Sequence, residues 1–117
     1  METKNRRPDS DECCGCLGVA YRNLSGYREL GMDESFAEVS VLRCRECGRH
    51  WLGYFYEQEA FTASGRWYLG AITPGQLSAL NAGNAKSLLE GLDWYFYGGS
   101  YYEGRGGKAS GVIVLNP

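Results

Sequence analysis

The apolar residues of this chain fall into short runs separated by glycine and polar turns, a spacing that favours strands over long helices. Phe36 to Arg43 (FAEVSVLR) places the β-branched Val39 and Val41 on one face and predicts a strand. His50 to Tyr56 (HWLGYFY) and Arg66 to Thr73 (RWYLGAIT) are aromatic runs separated by a polar stretch containing Ser64-Gly65, which predicts antiparallel strands joined by a turn. Val19 to Leu30 fits either a strand or a short helix, since Tyr21, Leu24 and Tyr27 fall on one helical face. Asp93 to Tyr97 (DWYFY) predicts a further strand, and Val112 to Leu115 (VIVL) a closing one, after a glycine-rich loop from Gly98 to Gly111.

Two helix signals stand between the aromatic runs. Thr73-Pro74-Gly75-Gln76 has threonine as N-cap, proline at the first helical position and glutamine at N3 reaching back, with Leu77 and Leu80 as the buried face. Asn84 caps a second stretch in which Leu88, Leu89 and Leu92 form an apolar stripe and Gly91 marks the end. These helices are expected to cover one side of the sheet.

Composition sharpens this picture. At 117 residues, 44% hydrophobic, the chain has the size of one domain, and 17 glycines with 14% aromatics fit short strands and turns around large rings. Residues 1–12 (METKNRRPDSDE) bring no large apolar group except Met1, so they read as a flexible tail, with residues 13–117 as a single domain. No apolar run approaches the ~20 residues of a membrane helix, and the N-terminus is too polar for a secretory signal. The expected location is the cytoplasm.

Five cysteines include two Cys-x-x-Cys pairs, Cys13/Cys16 and Cys44/Cys47, with 27 residues between Cys16 and Cys44. In a reducing compartment this spacing fits metal better than disulfides, and two such turns supply four thiolates to one tetrahedral zinc. With Cys13, Cys16, Cys44 and Cys47 all engaged, no position remains for water, so the zinc is structural. Cys14 points away or replaces Cys13 in a distorted turn, and His50, three residues after Cys47, is an alternative ligand or the polar start of a strand. The knuckle CRECG followed by an aromatic strand from Trp51, with CCGC as a less regular first half, resembles the zinc-ribbon fold group. The expected fold class is therefore α+β, a small antiparallel sheet with a four-cysteine zinc-ribbon-like knuckle pair and two short helices. That resemblance implies zinc binding and little about activity.

The formal net charge of -2 disfavours the broad positive face of duplex binders. Arg43, Arg45, Arg49 and His50 cluster at the second knuckle, where they either stabilise thiolates or contact phosphate. A nucleic-acid-binding alternative adds Trp51, Tyr54 or Tyr56 as stacking surfaces, against the intervening Glu46, Glu57 and Glu59. An enzymatic alternative has thin support: Glu57 and Glu59 share a face, while Ser100 lacks an identifiable base because His50 is the only histidine. The favoured reading is a non-enzymatic protein-interaction module whose glycine-rich loop presents Tyr101, Tyr102, Glu103 and Arg105 to another protein. In size, acidity and metal stabilisation the chain is similar in general character to immunity proteins that neutralise toxins.

Overall fold

The computed structural model describes residues 24–58 and 62–115. These form one six-stranded antiparallel meander in which each strand pairs with the next: β1 (Leu24–Met32), β2 (Glu38–Cys44), β3 (His50–Tyr56), β4 (Arg66–Ile72), β5 (Tyr95–Gly98) and β6 (Gly107–Ala109). Between β4 and β5 lie α1 (Pro74–Ala79), a short 3-10 turn (Ala82–Asn84) and α2 (Ala85–Glu90). The α+β class is thus present, and Val19 to Leu30 resolves as strand from Leu24 onward. The predicted tail, Cys13, Cys14, Cys16 and Glu59 lie outside the described residues.

Register sorts the side chains onto two faces, because alternate residues of a strand point oppositely. Val39 opposes Tyr54, Tyr54 opposes Tyr68 and Tyr68 opposes Tyr97, while Val41 opposes Leu52. This face packs with Leu80, Ala85 and Leu89 into the larger core, so the helices cover it as the sequence predicts. Gly70 lets α2 come close: a Cβ there would stand 2.7 Å from Leu89 Cδ2. The opposite face carries Leu42, Trp51, Leu69, Trp94 and Phe96 in a second cluster with Leu24 and Cys44. Trp51 stacks on Phe96 with ring centroids 5.9 Å apart.

Local chemistry fixes the connections. Thr73 and Gln76 form the predicted capping box, the Thr73 side chain accepting from the Gln76 N–H at 3.1 Å and the Gln76 side chain accepting from the Thr73 N–H at 2.8 Å. Asn84 departs from expectation: it makes no side-chain cap for α2 and instead exchanges bonds with Asn81, closing the 3-10 turn. In the β1–β2 turn, Asp33 Oδ1 accepts from the N–H groups of Ser35 and Ala37, and Oδ2 accepts from the Tyr54 hydroxyl. Two register shifts in β1, at Gly26/Arg28 and Glu29/Gly31, break the regularity of this strand, which is at the edge of the sheet among the described residues, and discourage unwanted pairing.

The closing strand is a correction. Val112 to Leu115 forms no strand; Val112 and Val114 are 75% and 61% exposed and only Ile113 is buried, its N–H donating to Glu90 Oε2 at 2.9 Å. The last strand comes earlier, where Gly107–Ala109 pairs with β5 inside the predicted loop. The polar sequence there hid a strand that pairs through its backbone, and the apolar run hid a segment fastened at one residue.

Candidate functional site

The helices leave the second sheet face open toward one end, and there the strands enclose a cleft of about 1050 Å³. Its wall is built by alternation: Glu38, Phe55, Trp67 and Gly98 stand in one cross-strand row, and Ser40, Gly53, Leu69 and Phe96 in the next. Two glycines shape it. An added Cβ on Gly98 would overlap the Trp67 indole, which therefore lies across the bare backbone, and one on Gly53 would stand 2.8 Å from Leu42 Cδ1. Glu29 and Glu38 bring carboxylates to the lining, Ser40 a hydroxyl, and no lysine or arginine is among the described lining residues. The cleft is thus apolar in its walls and negative in its charge.

The glycine-rich segment after β5 borders this cleft through Gly99, Gly104 and Gly106. The residues expected to bind a partner are divided by the fold. Tyr101 covers the Arg66 guanidinium, 3.7 Å from ring centroid to Cζ, and keeps part of its ring exposed, whereas the Tyr102 hydroxyl bonds that of Tyr68 at 2.9 Å while its ring packs on Tyr97. Glu103 and Arg105 stay exposed, 3.8 Å apart. The turn is held down by Ser100, whose Oγ accepts from the Gly65 N–H at 3.1 Å, and by the Tyr101 N–H donating to Gly65 O at 2.8 Å.

At the second knuckle, the Cys44 N–H donates to Arg49 O at 2.9 Å and the Gly48 N–H to Cys44 O at 3.0 Å, with Gly48 at φ +81. This turn brings Cys47 back near Cys44, which is 2% exposed while Cys47 faces solvent. Leu24, the first residue of β1, pairs with Cys44. The start of β1 therefore lies beside this turn. Among the described residues no group of three or more His, Cys, Asp and Glu converges. Arg43 Nε donates to Gly48 O at 3.5 Å, so this arginine braces the turn, whereas Arg45 is exposed.

Of the enzymatic candidates, the Glu57/Glu59 pair lies partly outside the described residues, and Ser100 and His50 are far apart. Ser100 is bonded to Gly65 beside Arg66, at the end of β3 opposite to His50, roughly 20 Å away at the rise of a strand. The His50 ring meets Tyr27 edge-on at 4.6 Å, and burial, then the charges of Arg43 and Arg28, hold its pKa below the ordinary 6.5. Burial pushes the hydroxyls of Tyr54, Tyr68 and Tyr95 above their ordinary value, with Asp33 adding to the effect on Tyr54 and Tyr102 to that on Tyr68 and Tyr95. No helix of the described residues is long and apolar enough to cross a membrane.

Comparison with protein-family models, with curated proteins and with solved structures finds no match. The cleft residues Glu29, Glu38, Trp67 and Phe96 escaped sequence reasoning. Their signal was the glycine at alternating positions inside aromatic strands, as in Trp51-Leu52-Gly53-Tyr54 and Tyr95-Phe96-Tyr97-Gly98.

Proposed function

We propose that this chain is a non-enzymatic protein-interaction module that receives a partner segment in the open cleft of its sheet, with a toxin-neutralising immunity protein as one concrete form. The observation that carries the reading is the pairing of aromatic walls, Phe55, Trp67 and Phe96, with the carboxylates of Glu29 and Glu38. Such a surface takes an apolar or aromatic anchor flanked by lysine or arginine. It repels a phosphate backbone, which sets the nucleic-acid reading second. Glu103 and Arg105, on the turn that borders the cleft, supply polar contacts at its rim.

The experiment compares capture of partners from native cells by the wild-type chain, by Glu29→Lys/Glu38→Lys and by a control, Lys86→Glu, on α2. A partner retained by wild type and control and lost on cleft charge reversal is the expected result. A partner set that is unchanged by reversal removes the cleft from the reading.

Zinc is the structural component of the same proposal, held by Cys13, Cys16, Cys44 and Cys47. Its support is the compact Cys44–Cys47 turn together with the arrival of β1 beside it. One zinc per chain is expected by metal analysis, and Cys44→Ser is expected to lose both the metal and the folded state. Metal-free protein with an unchanged melting curve would remove zinc from the account.

A further inference from the structure

Arg66 is 0% exposed, and its Nε, Nη1 and Nη2 atoms have no hydrogen-bond partner among the described residues. The faces of its guanidinium are occupied: Tyr101 lies 3.7 Å from Cζ and Tyr56 5.1 Å. Ring stacking answers the π-faces of a guanidinium and leaves its five N–H donors, which lie in the plane, unanswered. An arginine stacked in this way with its edge unused has the arrangement that grips an oxoanion, since planar donors match two anionic oxygens at once.

The surroundings are built to close over it. Gly99 runs close alongside the start of β4, where a Cβ would stand 2.5 Å from Gly65 O and 2.7 Å from Arg66 Cα, so only glycine fits. The segment is then tied to Gly65 through Ser100 and Tyr101. At the same hairpin end Gln58 Oε1 is also buried without a partner among the described residues, and the Gln58 N–H donates to Oγ of Ser64, two residues before Arg66, at 2.9 Å.

We propose that Arg66 anchors a binding site for a small oxoanion roofed by the Gly99–Arg105 turn. The ligand class is a hydrogen phosphate, whose anionic oxygens accept from Arg66 and whose P–OH donates to Gln58 Oε1. Enclosure of the donors excludes an extended ester and requires the Tyr101 turn to lift for entry. The Arg66 side chain lies on the opposite sheet face from the cleft, the Gly99–Arg105 turn borders both, and phosphate binding is tested without any partner in the cleft.

The test is titration of the full-length, metal-loaded chain with inorganic phosphate, using sodium chloride at matched ionic strength as reference. The Arg66 Nε–Hε resonance, assigned in the wild-type chain through side-chain correlations to the Arg66 backbone amide, is expected to shift saturably with phosphate and not with chloride. At phosphate about 100 times Kd the folded-to-unfolded ratio is expected to rise about 100-fold, and this rise is lost in Arg66→Lys. Because the resonance is read in the wild-type chain, a poorly folded variant leaves the test intact. A resonance unmoved by phosphate, or moved equally by chloride, overturns the proposal. So does a resonance that Glu59→Gln moves and phosphate does not, which assigns the donors to a carboxylate of the chain itself.

Discussion

Gly98 and Gly26 separate what glycine does in this fold. Both sit in strands, yet an added Cβ meets nothing within 4 Å at Gly26, whereas at Gly98 it overlaps the Trp67 ring that lies across the backbone. The ring packs with the second core cluster on one side and lines the cleft on the other, so an added Cβ forces it toward the cleft. Gly98→Ala is expected to cost about 1–3 kcal/mol by overpacking, and to change tryptophan fluorescence as the indole is displaced. Gly26→Ala is expected to stay within about 0.5 kcal/mol, as for surface positions without special packing. Equal melting temperatures for the two variants would mean that the indole does not depend on Gly98.

At the scale of elements, Glu90 fastens the segment around Ile113 to α2. It stands at the last position of α2 and uses one oxygen, Oε2, for both Lys86 Nζ at 2.7 Å and the Ile113 N–H at 2.9 Å. Partial burial opposes its ionisation, but the Lys86 ammonium and the Ile113 amide outweigh that and hold the carboxyl below its ordinary value. The half-exposed i,i+4 pair with Lys86 is worth about 0.3–0.5 kcal/mol. The charge-assisted bond to a partly buried amide is worth about 1.5–3 kcal/mol, so the amide dominates. Glu90→Ala is therefore expected to release the segment around Ile113, seen as fast amide exchange there while amides of β3 keep their protection. Retained protection at Ile113 would show that burial of its side chain alone holds the segment.

The same region explains which elements were legible in the sequence. His50–Tyr56 appears with its predicted limits, and Arg66–Ile72 ends one residue early, because a strand buried on both faces is written as an unbroken aromatic and aliphatic run. The α1 start was legible because its cap is a local chemical pattern. Gly107–Ala109 was not, since a short edge strand needs a partner's backbone and no particular side chains. The cleft was equally hidden: its carboxylates sit on β1 and β2 and its rings on β3, β4 and β5, and only the register places them together.

For the whole molecule, the tyrosines of the larger core tie stability to alkaline pH. Tyr54, Tyr68 and Tyr95 are all buried on the helix-covered face, with Tyr54 donating to Asp33 and Tyr68 paired with Tyr102. Burial disfavours their phenolate forms, so each ionises at a higher pH folded than unfolded. Below the ordinary value of 10.0 both states hold these protons, and this contribution to stability is fully present. Above it the unfolded chain releases protons that the folded chain retains, so unfolding is favoured progressively as pH rises. Each such tyrosine adds a slope of about half of 1.4 kcal/mol per pH unit near pH 10, approaching about 1.4 kcal/mol per pH unit only where the unfolded chain has released its proton and the folded chain has kept it. Urea unfolding between about pH 9 and pH 11 is expected to show a loss that steepens with pH, with Tyr54→Phe and Tyr68→Phe each flattening it by about 0.7 kcal/mol per unit on average over that range. Phenylalanine keeps the ring and removes the proton, so the flattening is separate from any loss of packing or of the Asp33 bond, which lowers stability equally at every pH in that range. Variants that lose stability yet keep the full slope would place the titrating groups elsewhere in the chain.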